Sequence, residues 1–209
     1  MDIALGVDMA MTRGTASNTG MVVILNGLPG TGKSTILKNL ESQMTGQKIQ
    51  IIDSHILTEP VRPDRGFNHY NLRRQLRAVY LREVRNLADQ GYTVLMTACL
   101  KKNEADSQVV EDTLGILRET NITMSWINVH CEQSIPEQRA TSPERVEDCR
   151  SRPTDLRRIT KEDQLILPTN RRYKLDGISL VTARLDVGRS LKEAVDNISG
   201  IMGRERSRL

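Results

Sequence analysis

Cysteine is scarce: Cys99, Cys131 and Cys149 are the only three in 209 residues, far apart and without a C-x-x-C pair. That spacing argues against a zinc knuckle and a disulfide framework and fits a reducing compartment, with the cytosol as the expected location. Aromatics are few as well, with one Trp, one Phe and four Tyr. Leu, Ile and Val must therefore build the core, and no aromatic pattern for stacking on bases is present, so nucleic acid is not an expected partner. No apolar run approaches the roughly 18 residues that cross a bilayer, so no membrane partner is expected. Residues 1–20, MDIALGVDMAMTRGTASNTG, lack a long apolar stretch and an early basic cluster. They read as a flexible leader rather than a signal peptide.

What is present is a chain of single-domain length, 38% hydrophobic and 27% charged, with a mean hydropathy of -0.42. This is the profile of a soluble protein with a real core. The net charge of +4 is unevenly placed. Between Arg62 and Arg85 seven arginines face two acids, and between Arg139 and Lys174 ten basic residues face six acidic ones, leaving the remainder net acidic.

Apolar runs and amphipathic stretches alternate along the chain. Strands are expected at Met21–Leu25, Ile49–Ile52, Tyr92–Ala98, Met124–Val129 and Leu180–Leu185. Helices are expected at Lys33–Met44, at Asn71–Gln90 with Leu72, Leu76, Val79, Tyr80, Val84 and Leu87 on the buried stripe, at Ala105–Glu119, and at Leu191–Ile201. Two short helices are expected in the second basic segment. Such alternation predicts an α/β fold, a parallel sheet with helices on both faces.

One stretch carries a chemistry of its own. LNGLPGTGKST, residues 25–35, matches G-x-x-x-x-G-K-[ST] between a buried strand and an amphipathic helix, the context in which this motif is a phosphate-binding loop. Gly27, Gly30 and Gly32 let the backbone curl so that N–H groups point at phosphate oxygens, and the helix N-terminus adds its partial positive charge. Lys33 is expected to bridge the β- and γ-phosphates, and the Ser34 hydroxyl to ligate Mg²⁺. The nucleotide set is thus Gly27, Gly30, Thr31, Gly32, Lys33, Ser34 and Thr35, with ATP and Mg²⁺ as cofactors.

Ligands of open α/β sheets lie at the carboxyl ends of the strands, and Asp53 follows the second strand there, in IIDSHIL. A carboxylate at that place can take the proton of an acceptor hydroxyl, help hold Mg²⁺, or do both. His55 is close enough in sequence to orient the same substrate. The third strand ends Thr97-Ala98-Cys99 without the acid that motor and switch ATPases carry, which favours a kinase of small molecules. EQRATSPERVEDCRSR gathers Arg139, Arg145, Arg150 and Arg152. Arginines lowered over a transferring phosphoryl group stabilise its charge, and Arg139 and Arg145 are the candidates for that role. Arg73 and Arg77 share a helix face on the expected acceptor side and fit an anionic acceptor, although a solvated face would place arginines there too.

GLPGTGKST, IIDSHILTEP, VLMTACL, INVHCE, RATSPERV and ARLDVGRSLKEAVDNI follow one another in an order and spacing that resembles the chloramphenicol phosphotransferase-like and shikimate-kinase-like group of small P-loop kinases, with most likeness to a branch common in fungi. The resemblance runs from about Met21 to Gly200. It implies a three-layer P-loop NTPase sandwich with a five-stranded parallel sheet in the order 2-3-1-4-5 and a helical lid at about 136–172. It also implies Asp53 as base, Arg139 and Arg145 as lid arginines, and Asp186-Val187-Gly188-Arg189 against the adenine, with Val187 and Gly188 closest. Where relatives read TKLTD after the lid arginine, this chain has PTDLRRITKEDQL, longer and more basic. The implied domain spans 21–203, with 204–209 as a basic tail. Three functions fit: transfer of the γ-phosphoryl of ATP to a hydroxyl of a small metabolite, a nucleoside or nucleotide kinase, and a non-catalytic ATP-binding regulatory protein.

Overall fold

The computed structural model describes residues 20–52, 67–131, 165–188 and 190–206. Asp53, His55, Arg139 and Arg145 lie outside the described residues. Those described form five strands and four helices: β1 (Met21–Gly27), α1 (Lys33–Gln43), β2 (Ile49–Ile52), α2 (Phe67–Asp89), β3 (Thr93–Ala98), α3 (Glu104–Gly115), β4 (Thr123–His130), β5 (Ser179–Asp186) and α4 (Leu191–Arg206). The sheet order is β2-β3-β1-β4-β5, and every neighbouring pair is parallel. Parallel neighbours need crossover connections, which the intervening helices supply on both faces.

β1 sits at the centre and is buried on both sides along its whole length. Its residues alternate between two cores, as a period of two requires. Val22 and Ile24 join Leu81, Val84, Val110, Leu114 and Trp126 under α2 and α3. Met21, Val23 and Leu25 join Ile36, Leu37, Leu40, Val195 and Ile198 under α1 and α4. The architecture is the expected three-layer sandwich. Below the sheet, at its N-terminal edge, the Gly20 N–H donates to the Ala88 carbonyl at 2.8 Å and the Met21 N–H to the Tyr92 carbonyl at 3.1 Å. These bonds tie the start of β1 to the turn that ends α2.

Several boundaries differ from those the sequence predicts. β1 runs two residues further, through Asn26 to Gly27, and α2 begins at Phe67 rather than Asn71. The buried stripe of α2 is Leu81, Val84 and Ala88, whereas Leu72 and Val79 are exposed. Arg73 and Arg77 fall on the inner stripe, eight and four residues before Leu81, and both are half-buried. Residues 165–178, the described end of the second basic segment and its link to β5, contain no helix. Leu165 and Ile166 are buried there as an extended strap, paired by an antiparallel bridge between Lys101 and Leu165.

Candidate active site

The phosphate loop leaves β1 at the carboxyl edge of the sheet. A Cβ on Gly27 would stand 2.6 Å from Val129 Cγ2 and 2.8 Å from the Val129 carbonyl oxygen, so only glycine lets β1 lie this close to β4 at the loop mouth. Gly30 and Gly32 take φ of 89° and 80°, the left-handed region where a side chain is strained. Thr31 is buried and braces the curl, its hydroxyl donating to the Leu28 carbonyl at 2.9 Å.

Among the described residues no side chain caps the start of α1. Gly32 caps it without a side-chain bond, and its first turn carries no acid. The contrast is α3, where the Asn103 side chain accepts the Asp106 N–H and Glu104 and Asp106 occupy the first turn. Asp106 in turn accepts from the Lys101 N–H at 2.8 Å. α3 thus satisfies its positive end internally, whereas no side-chain cap and no acid of its own first turn offsets the partial charge of α1, an arrangement that suits an external anion. Ser34 and Thr35 are exposed on that first turn. The Lys33 ammonium donates to the Gly27 carbonyl at 2.7 Å and to the Leu28 carbonyl at 2.9 Å, which holds its charge at the loop mouth. These donors fit a polyphosphate.

At the far side of the sheet Val187 is buried in the core under α1 and α4, and its N–H donates to the His130 carbonyl at 2.8 Å. The Gly188 N–H turns back onto Asp186 Oδ1 at 2.9 Å. Arg73 and Arg77 stand six and ten residues into α2, about 9 and 15 Å along its axis from its first residue. Arg77 Nε lies 3.3 Å from Asp112 Oδ2, so Arg77 also ties α2 to α3. β2 ends at Ile52, two strands from β1, or about 10 Å. The residue after it is Asp53.

Two features of the site are absent from the reading of the sequence. Cys99 follows Ala98, the register partner of Asn26, and so stands beside the start of the loop. It is exposed, yet the surrounding protein desolvates the thiol enough to raise its pKa. Lys33 and Lys101 pull the other way, and Asp106 adds to the rise. The second feature is a buried polar cluster. Asn26, fully buried, donates from Nδ2 to Asn128 Oδ1 at 3.0 Å, to the Ile166 carbonyl at 3.1 Å and, more weakly, to the Leu100 carbonyl at 3.3 Å. Asn26 Oδ1 accepts the Leu100 N–H at 2.8 Å. Trp126 Nε1 reaches both Asn128 Oδ1 and the Ile166 carbonyl at 3.2 Å. The signal in the sequence is an asparagine at matching register in each of two neighbouring buried strands.

Comparison with known proteins places this geometry among kinases. A family model described as chloramphenicol phosphotransferase-like protein matches residues 20–152. The adenylyl-sulfate kinase of Citrobacter koseri is 29% identical over 166 residues, which cover 78% of each chain. The APS kinase of Mycobacterium tuberculosis, solved with AMPPNP and APS, superposes with a TM-score of 0.55 at 20% identity, over 88% of this chain and 98% of that one. A sugar kinase from Janibacter superposes with a TM-score of 0.52 at 14% identity, over 86% of this chain and 92% of the other. The two solved structures share the fold.

Proposed function

The chain belongs to the chloramphenicol phosphotransferase-like family, and from that premise we propose that it transfers the γ-phosphoryl group of ATP to a hydroxyl of a small metabolite, with Mg²⁺ as co-substrate. It is an ATP-dependent kinase. The observation that carries the reading is the start of α1, without a side-chain cap or an acid in its first turn, behind a loop whose two glycines adopt positive φ, with the Lys33 ammonium at its mouth.

In this reading Lys33 would exchange the Gly27 and Leu28 carbonyls for β- and γ-phosphate oxygens, and the loop N–H groups would hold the rest of the polyphosphate. Val187 and Gly188 border the adenine. Ser34 and Asp53 would hold Mg²⁺, which would supply positive charge against the negative charge of the polyphosphate. Asp53 accepts the proton of the acceptor hydroxyl as its oxygen attacks. His55 orients the acceptor, and Arg73 and Arg77 favour an anionic one. Arg139 and Arg145 stabilise the charge that builds on the transferring group. The acceptor is a small molecule rather than nucleic acid, and the scarce, scattered cysteines support a cytosolic setting.

The names of the relatives favour a test panel. Purified protein with Mg²⁺ and ATP should be offered an arylpropanediol antibiotic, adenylyl sulfate, nucleosides and sugars, and each product mass read for the gain of one phosphoryl group. A nucleoside or nucleotide kinase is the outcome if only adenosine-bearing acceptors gain mass. Tight ATP binding with no acceptor-dependent ADP release across a wide panel would instead identify a regulatory ATP-binding protein and sink the kinase reading.

A further inference from the structure

Asn26 has no obvious reason to be polar. It lies in a strand buried on both faces, where an apolar residue would cost nothing in desolvation. Its amide instead serves three separate parts of the chain: Leu100 after β3, Asn128 on β4, and Ile166 in the strap. The Ile166 carbonyl is taken by Asn26 and Trp126 together, and the Ile166 N–H donates to the Leu100 carbonyl at 3.0 Å. Both backbone polar groups of Ile166 are thereby fixed, and the strap can move only with these partners.

The residue that fixes it is also the one before Gly27. Gly27 is pressed against Val129, and its carbonyl holds the Lys33 ammonium. Filling the loop with polyphosphate draws that ammonium away, and the peptide it leaves joins Gly27 to the loop. On the strength of the kinase reading above, we propose that Asn26 is a positioning residue that couples the phosphate loop to the strap Leu165–Pro168, so that nucleotide binding tightens the strap through the Asn26–Ile166 hydrogen bond. A fully satisfied buried network has few alternative arrangements, which is what transmission between two segments requires. By reciprocity, a strap held in place favours nucleotide binding by the same factor.

Amide hydrogen exchange of the full chain, with and without Mg²⁺ and AMPPNP, tests this. In the unaltered protein AMPPNP should slow exchange at the Ile166 amide about tenfold, a coupling of about 1.4 kcal/mol. Asn26→Ser keeps a polar side chain too short to reach Ile166. It should still bind AMPPNP, with the slowing at Ile166 reduced to about twofold or less. Trp126→Phe removes the second donor alone. It should speed exchange at Ile166 in the absence of nucleotide yet keep the response to AMPPNP, a distinction that a purely structural role for the cluster does not make. Exchange at Ile166 that is indifferent to bound AMPPNP in the unaltered protein overturns the proposal, as does a full response in Asn26→Ser. Failure of the unaltered protein to bind AMPPNP overturns the kinase reading and this proposal together, whereas binding without a response at Ile166 overturns this one alone.

Discussion

The Lys33 ammonium and the Gly27 carbonyl oxygen are 2.7 Å apart, so the loop's only lysine is bonded to the glycine that opens the loop. A short charge-assisted bond of this kind holds the side chain in place before any ligand arrives. On the reading proposed above, binding of polyphosphate would exchange one set of oxygens for another rather than order a mobile cation. With a true acceptor, Lys33→Ala should lower turnover about 10²-fold or more. Asp53→Asn should do the same through loss of the base. Steady-state rates with the acceptor identified by mass gain measure both, and full activity in Asp53→Asn would remove that residue from its assigned role.

Gly27→Ala should harm stability and nucleotide binding together. The added methyl meets both the side chain and the carbonyl of Val129, and overpacking at such a contact costs about 1–3 kcal/mol. Adding Val129→Ala relieves the side-chain clash but leaves the carbonyl in place, so the double variant should recover only part of the loss. Urea unfolding midpoints read the result, and full recovery would show that the backbone approach is not limiting.

Arg77 and Asp112 form a partly buried pair, 15% and 25% exposed, and Asp112 also accepts from Gln108 at 3.0 Å. A double-mutant cycle on Arg77→Ala and Asp112→Ala should give a coupling of about 1 kcal/mol in unfolding free energy. If Arg77 also contacts an anionic acceptor, Arg77→Ala raises KM for that acceptor and Asp112→Ala does not. Equal effects of the two on KM would leave Arg77 as a tie between helices only.

Ser125 is fully buried in β4, and its hydroxyl has no hydrogen-bond partner among the described residues. Burying such a group unsatisfied is unfavourable. Ser125→Ala should therefore hold or raise stability, by up to about 1 kcal/mol. A clear loss in the thermal midpoint would mean the hydroxyl is satisfied after all.

The Cys99 thiol is held above its ordinary pKa by desolvation, against the pull of Lys33 and Lys101. The raised value keeps it protonated at neutral pH, so iodoacetamide should label it slowly there and faster only as pH climbs past the ordinary thiol range. Lys33→Ala removes a charge that favours the thiolate and should move the labelling midpoint further up. Peptide mass spectrometry across a pH series measures it, and a downward shift would contradict the sign.

The parallel layers and the phosphate loop were legible because each rests on a local pattern: five short apolar runs, intervening amphipathic stretches and one glycine-spaced motif, whereas the sheet order was implied only by the resemblance to small P-loop kinases. β1 was expected to stop at Leu25 because Asn26 breaks the apolar run, and the reason it continues is supplied by Leu100, Asn128 and Ile166, residues 74 to 140 positions away. No periodicity carries such a partnership. The stripe of α2 was misread for a related reason. Choosing its leucines and valines by hydrophobicity put Leu72 and Val79 inside, whereas the stripe that includes Leu81, Val84 and Ala88 admits Arg73 and Arg77, long side chains whose stems can lie against apolar surface while the charged head reaches a partner.

The bonds from Gly20 to Ala88 and from Met21 to Tyr92 close the end of the sheet opposite the phosphate loop. Cohesion at that end comes from backbone groups, packed so closely that a Cβ on Gly20 would run into the carbonyls of Tyr92 and Ala88. On the kinase reading proposed above, acceptor choice belongs to the other end, in segments that follow the carboxyl edges of the strands. A lineage built this way can rewrite its substrate preference by changing those segments while its foundation stays in place.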